Sequence, residues 1–298
     1  MILINGRKLR DDILADIKKE VALLSFTPIF CDIFVGDDPV SAQYVRMKAK
    51  TAESVGIKFH NANFSQDIST ADLVQEIKKL NTIKNMCGII MQLPLPEHLD
   101  KRLVLDAIDP GLDVDCLGAV ASEKFYQGET EVGFPTALAC MAILDSLNLD
   151  DNPSTLLRTR KIVCLGQGEL VGKPVAALLR FRGLEPIPVT RKTENKEEIL
   201  KNADVIISGI GHGKHITRNM IKKGAVLMDA GTSEEVNGPS AEGASIQPGA
   251  KVNIVGDVDL ESVKNIAGAV SPVPGGVGPV TVAMLLKNVL TVAKKMKT

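Results

Sequence analysis

Two rhythms of apolar residues alternate along this chain. Short strand-like runs, PIFCDIFV at 28–35, Ile57 to Phe64, Cys87 to Leu93 and Lys161 to Leu165, stand between stretches whose apolar residues return every three or four positions. Those stretches are Arg7 to Leu24, Ser41 to Val55, Ala71 to Leu80, Asp100 to Ala107, Pro135 to Leu147 and Thr281 to Lys295. The first rhythm predicts strands and the second helices. Their alternation predicts an α/β fold, with a parallel sheet in the N-terminal part covered by helices. Gly56 suits a helix C-cap. Tyr126-Gln127-Gly128, in a polar stretch, reads as a hairpin turn, and Asp150 to Ser154 as a linker-like break. A domain boundary is expected on or around the Pro135 helix.

The second half opens with KIVCLGQGELVGKP at 161–174. A short apolar strand runs into Gly166, Gly168 and Gly172, and then into a helical pattern from Val175 to Arg182. Strand, glycine turn and helix together form the start of a Rossmann-like unit. The glycines allow close backbone approach, and a helix N-terminus offers free N–H groups to phosphate. The spacing is one residue longer than the usual fingerprint, and an ordinary strand-to-helix turn fits it as well. Further strands are predicted at Glu185 to Thr190, Ala203 to Ile210, Ala225 to Asp229 and Asn253 to Val258, with helices at Glu197 to Asn202 and Ile216 to Lys223. The second strand ends in Thr190-Arg191-Lys192-Thr193. Basic residues there suit the extra phosphate of NADP, where an acidic one would suit NAD.

Composition narrows the function classes. The 298 residues hold 35 basic and 36 acidic side chains, which argues against binding nucleic acid or membrane by bulk charge. No Trp and 3% aromatics leave little for base stacking. No apolar run looks long enough to span a membrane, and the N-terminus turns polar after four residues. Five widely spaced cysteines point to reduced thiols in the cytoplasm, without metal-site spacing.

Some residues carry candidate chemistry. Tyr44 and Lys48 share a helix face at i,i+4, either as a solvated pair or as part of a site. Gln92 is the one polar residue in GIIMQLPLP, near a strand's C-terminal end, where it either caps backbone or contacts a ligand. Asp113 and Asp115 point one way if LDVDCLG is extended, but no further ligand of metal type lies nearby. His212 and His215 read as a solvent loop. SPVPGGVGP, at 271–279, is either a connecting turn or a backbone-lined wall.

Taken together, GDDPVSAQYVRMK, GIIMQLPLP, DVD, VGKP, GDVD and SPVPGGVGPVTVAMLL resemble, in order, the signatures of the bifunctional methylenetetrahydrofolate dehydrogenase/methenyltetrahydrofolate cyclohydrolase family. The resemblance covers nearly the whole chain. It implies a one-carbon enzyme of purine biosynthesis, acting on tetrahydrofolate derivatives with NADP, with NAD possible, and working as a homodimer. It implies a folate domain at 1–139, completed by the helix at 280–298, a Rossmann-like NADP domain at 140–279, and a cleft between them. Lys48 would be the acid/base of the hydrolytic step, oriented by Gln92. Tyr44 would pack on the folate ring, and Asp115 would hold its amino-pyrimidine edge. Met91, Leu93 and Pro274-Gly275-Gly276-Val277-Gly278 would line the folate site. Candidate cofactor residues are Gly166, Gln167, Gly168, Arg191 and Thr232.

The chain departs from the family pattern in places. Cys116 follows Asp115 where the family has glycine, so a positive φ there would impose a strained conformation on a cysteine. FPTALA at 134–139 replaces a segment richer in proline and glycine. Gln167 replaces the arginine expected to meet the NADP phosphate, while Arg191 takes a serine position. A dehydrogenase lacking the hydrolase step and a non-catalytic binding paralogue are the alternative readings.

Overall fold

The computed structural model describes residues 1–147, 160–236 and 252–296. The expected break at Asp150 to Ser154 lies outside them. The elements follow in order as β1 (Ile2–Leu3), α1 (Gly6–Val21), β2 (Ile29–Val35), α2 (Pro39–Ser54), β3 (Lys58–Phe64), α3 (Thr70–Leu80), β4 (Met86–Met91), α4 (Lys101–Asp106), α5 (Ala119–Gln127) and α6 (Pro135–Ser146). Next come β5 (Ile162–Leu165), α7 (Gly172–Phe181), β6 (Ile187–Val189), α8 (Lys196–Lys201), β7 (Val205–Ser208), β8 (Val226–Asp229), β9 (Ser233–Val236), β10 (Val252–Val255), α9 (Leu260–Val263), β11 (Ala269–Ser271) and α10 (Val277–Met296).

Two compact units result. One comprises Arg10–Pro135 with Val282–Thr298, the other Met1–Leu9 with Thr136–Thr281. In the first unit β3, β2 and β4 form a parallel sheet in that order. Side chains alternate across β2. Cys31, Ile33 and Val35 join Leu73, Ile77 and Val104 in a core on one face. Phe30 and Asp32 point to the other, where a Cβ on Gly88 would meet Val289 of α10 at 2.8 Å. Helix α2 starts with Pro39 in its first turn, and the Asp38 carboxylate accepts from the Ser41 N–H at 2.7 Å. Its buried positions, Ser41, Val45, Lys48 and Ala52, follow helical spacing and form a single face. Gly56, at φ 87°, ends it.

In the second unit six parallel strands stack in the order β1-β11-β8-β7-β5-β6. From β5 the chain runs outward to β6 and then crosses back to β7 on the other side of β5, so the order reverses between β5 and β7. Open α/β sheets bind ligands beyond the strand ends at such a point. Val163, Leu165, Val189, Ile206, Leu227 and Val270 fill the core beneath one face.

The structure corrects several expectations. The first strand pairs with Ala269 and Val270, so residues 1–9 sit with the six-stranded sheet and not with the rest of 1–139. Gly128 is a left-handed helix C-cap at φ 73° and not a hairpin turn: Ala121 and Phe125, four apart, bury one face of the polar helix α5. The expected helix at Ile216 to Lys223 shrinks to a 3-10 turn at Arg218–Met220, because Ile216 bridges to Val258 as extended chain. The expected strand at 253–258 is β10, which pairs antiparallel with β9 and leaves its place in the main sheet to β11. Helix α10 is long and apolar enough to cross a membrane by length and composition, contrary to the sequence reading, but most of it is buried.

Candidate functional site

Lys48 is the centre of a polar cluster in the first unit. Helix α2 buries it to 8% exposure. Its Nζ donates to Gln92 Oε1 at 2.8 Å and lies 2.6 Å from Asp32 Oδ2. Gln92 is fixed from both ends: its backbone N–H donates to Ile33 O at 2.8 Å, and its Nε2 donates to Leu93 O at 2.7 Å. The side chain therefore caps backbone, one of the two roles the sequence left open, and aims its carbonyl at the lysine. Tyr44, one turn earlier on α2, is 42% exposed. Met91 is buried and Leu93 half-buried on the same strand end.

Residues 112–118 are folded into a loop, so the two carboxylates do not share a face as an extended strand would have them. Asp113 turns back into the loop, where Oδ1 accepts from Asp115 N–H at 3.2 Å and Oδ2 from Gly118 N–H at 2.7 Å. The Asp115 carboxyl is left for other partners. Desolvation, and then the neighbouring Asp113, push its pKa up to about 7, with Lys48 pulling the other way and Asp32 adding to the rise. Immediately after Asp115, Cys116 takes φ 59°, the left-handed conformation expected from a cysteine at a glycine position. It is buried to 1% exposure, and burial raises its thiol pKa. Phe134 packs edge-on against Phe125, ring centres 5.0 Å apart. Asn288 of α10 donates to Val114 O at 2.8 Å and Gly133 O at 2.6 Å, tying the loop and the Phe134 segment to that helix.

Asp32 is the residue sequence reasoning missed. It is a fully buried carboxylate on β2, and among the described residues neither oxygen has a hydrogen-bond partner beyond the ion pair with Lys48. The available signal was its isolation as the one charged residue in PIFCDIFV, the same signal that exposed Gln92.

The glycine turn lies in the second unit. Gly166 has φ 90°, and a Cβ on Gly172 would sit 2.0 Å from Gly166 O, so the turn closes only with glycine there. A Cβ on Gly168 would meet nothing within 4 Å, which leaves its backbone open to a ligand. Gln167 turns inward and donates from Nε2 to Gly166 O at 2.8 Å. Thr190 and Thr193 brace the turn after β6, the Thr190 N–H donating to Thr193 Oγ1 at 2.9 Å. Arg191 and Lys192 are exposed beside it, and among the described residues neither pairs with Glu194 or Glu197. Thr232 is exposed just after β8. The neighbouring strand ends are held by buried carboxylates. Asp229 accepts from the N–H groups of Gly231, Asp257 and Val258, and Asp257 from Ser208 Oγ and the N–H groups of Ile210 and His212. His212 and His215 meet edge to face, ring centres 5.1 Å apart. Pro274 to Gly278 is grouped with this second unit and is anchored by Gly6 N–H donating to Gly275 O at 3.0 Å.

Two family models match the chain: the catalytic domain of tetrahydrofolate dehydrogenase/cyclohydrolase at residues 4–115, and its NAD(P)-binding domain at residues 135–297. The chain belongs to this family. It is 36% identical over 299 residues to the bifunctional protein FolD of Dichelobacter nodosus, covering 99% of this chain and 97% of that one. The crystal structure of the bifunctional FolD enzyme from Campylobacter jejuni superposes with a TM-score of 0.87 at 31% identity, covering 99% of each chain. The methylenetetrahydrofolate dehydrogenase-cyclohydrolase of Trypanosoma brucei, solved with NADP cofactor and an inhibitor, gives a TM-score of 0.88 at 31% identity, over 99% of this chain and 98% of that one. Within this dehydrogenase/cyclohydrolase family, the Lys48 cluster falls in the catalytic-domain match and the glycine turn in the NAD(P)-binding match.

Proposed function

We propose that this chain oxidises methylene-tetrahydrofolate to methenyl-tetrahydrofolate with NADP and hydrolyses that product to 10-formyl-tetrahydrofolate. The observation that carries the hydrolytic half is the buried amine of Lys48, oriented by a glutamine whose other end is locked to backbone. Hydrolysis adds water to the methenyl carbon. As the C–O bond forms, the water gives up a proton, and as the bond to the pterin-ring nitrogen breaks, that nitrogen takes one. A single amine can perform both transfers, provided it is held within hydrogen-bond reach. Gln92 provides that restraint without competing for the proton. Tyr44 offers a half-open aromatic face for the folate ring, and Asp115 offers a carboxylate for the donors of its amino-pyrimidine edge.

The second unit fits NADP. Gly168 leaves room for a pyrophosphate against the start of α7, and Arg191 carries an exposed guanidinium, without an ion-pair partner among the described residues, just after the end of β6. NADP, when bound, supplies the hydride acceptor. Arg191 substitutes for the charge that Gln167 cannot provide, since that amide is turned onto Gly166 O. An Arg191→Ala variant is expected to lose NADP affinity by roughly tenfold or more while NAD affinity changes little; equal losses for both would remove Arg191 from the phosphate site.

The test of the hydrolytic assignment is Lys48→Met, followed by absorbance of methenyl-tetrahydrofolate. Hydrolysis should fall by about 100-fold or more, with hydride transfer partly retained. Hydrolysis at the parent rate would show that another group moves the proton.

A further inference from the structure

We propose that Asp32 is a positioning residue for the hydrolytic step, acting through Lys48 as the internal acceptor of the ammonium proton. This rests on the reading of Lys48 as the acid/base. The geometry is specific. Asp32 Oδ2 lies 2.6 Å from Lys48 Nζ, Asp32 is fully buried, and among the described residues neither of its oxygens has a hydrogen-bond partner beyond that ion pair. A carboxylate inside an apolar strand is costly unless a cation offsets it. Here, among the described residues, the compensation is the amine already held by Gln92.

The surroundings leave the pair to itself. On β3 the residue in register with Asp32 is the neutral Asn61, and on β4 it is Ile90. The other α2 cations near Lys48, Arg46 and Lys50, are exposed. Among the described residues the other charge felt by the pair is Asp115, which has Asp113, bound into its own loop, beside it. Burial raises the Asp32 pKa against the pull of Lys48, which favours a proton on the carboxylate more than water would.

The proton balance closes. First an Nζ–H bond breaks and an Oδ2–H bond forms, leaving a neutral amine and a neutral acid. The amine takes a proton from water as oxygen bonds to the methenyl carbon. It passes that proton to the ring nitrogen as the C–N bond breaks, and recovers one from the hydroxyl as the formyl C=O forms. The proton on Asp32 is then the one net proton that hydrolysis releases to solvent.

The experiment compares Asp32→Asn, Asp32→Glu and Lys48→Met in both activities, with the hydrolytic kcat followed against pH. Asp32→Val, apolar like its strand neighbours, replaces the amide variant if that does not fold. In Asp32→Asn the hydrolytic kcat is expected to fall at least about tenfold, with KM for the methenyl substrate and the hydride-transfer rate within about twofold of the parent. The limb of the pH profile set by loss of the lysine proton should move to lower pH, because no anion then holds the ammonium; Asp32→Glu should return it towards the parent position. An unmoved limb, or equal losses in both activities, would overturn the proposal by making Asp32 merely structural. Dead hydrolysis in Lys48→Met with an unmoved limb in Asp32→Asn sinks this inference alone, whereas full hydrolysis in Lys48→Met sinks the reading beneath it.

Discussion

The two units build their sites by opposite means. In the unit of Lys48, the chemistry is carried by side chains placed where charge is expensive: a buried amine, a buried carboxylate on β2, and a second carboxylate, Asp115, whose ionisation is suppressed. In the six-stranded unit it is carried by backbone, and the decisive feature is a missing side chain. Gly166 and Gly172 let the turn close where a Cβ would meet backbone, Gly168 leaves its backbone uncovered, and the carboxylates of Asp229 and Asp257 are already engaged by backbone N–H groups. Desolvated side chains suit proton transfer, because their protonation states can be shifted. Open amides suit a phosphate that need only be held.

The contrast breaks most readily at the turn. Gly172→Ala would put a Cβ 2.0 Å from Gly166 O and 3.0 Å from Gln167 Cα, both backbone. The strand and helix would have to separate, at a cost of roughly 2–3 kcal/mol. Gly168→Ala meets nothing within 4 Å and should leave the stability of the unliganded protein nearly unchanged, while weakening NADP binding by blocking close approach. Denaturant unfolding with and without NADP separates the two. Equal destabilisation by both variants would show that the turn is a structural joint and not a cradle.

This difference also governs what could be read in the sequence. Glycine turns are local, so the strand, turn and helix at 161–182 were legible from the residues, although the spacing fitted an ordinary turn as well as a phosphate cradle. The Lys48 cluster was half legible. Tyr44 and Lys48 share a helix face, and Gln92 interrupts an apolar run, but nothing local says that α2, β2 and the end of β4 converge. Asp32 interrupts its own run just as plainly and was passed over, since its partner is 16 positions away on another element. The strain at Cys116 was legible only through resemblance, as a side chain where glycine was expected. Among fold elements, β11 was missed because three residues before a proline carry no period, and α5 because its polar composition hid the spacing of Ala121 and Phe125.

Asp115 gives the smaller and more informative effect, because it tests whether the side-chain site costs stability. Its pKa is about 7 in the folded protein, against 3.8 for a free side chain. Below pH 4 it is protonated in both states and contributes no penalty. As pH rises from about 4 to 7 the unfolded chain ionises first, so the folded state binds the extra proton and loses stability across that window. A tenfold change in an ionisation constant is worth about 1.4 kcal/mol, and an asparagine carries a desolvation cost of its own. Asp115→Asn is therefore expected to match the parent near pH 4 and to exceed it at pH 8 by on the order of 1–2 kcal/mol. The same variant should bind folate more weakly, since an ionised acceptor for the amino-pyrimidine edge is worth roughly 1.5–3 kcal/mol. Folate binding by the parent should strengthen as pH rises through 7. Thermal unfolding at the two pH values, paired with folate titrations, decides it. A variant that loses folate without gaining stability at pH 8 would mean that Lys48 already compensates the buried charge, and the two units would then differ in chemistry but not in energetic cost.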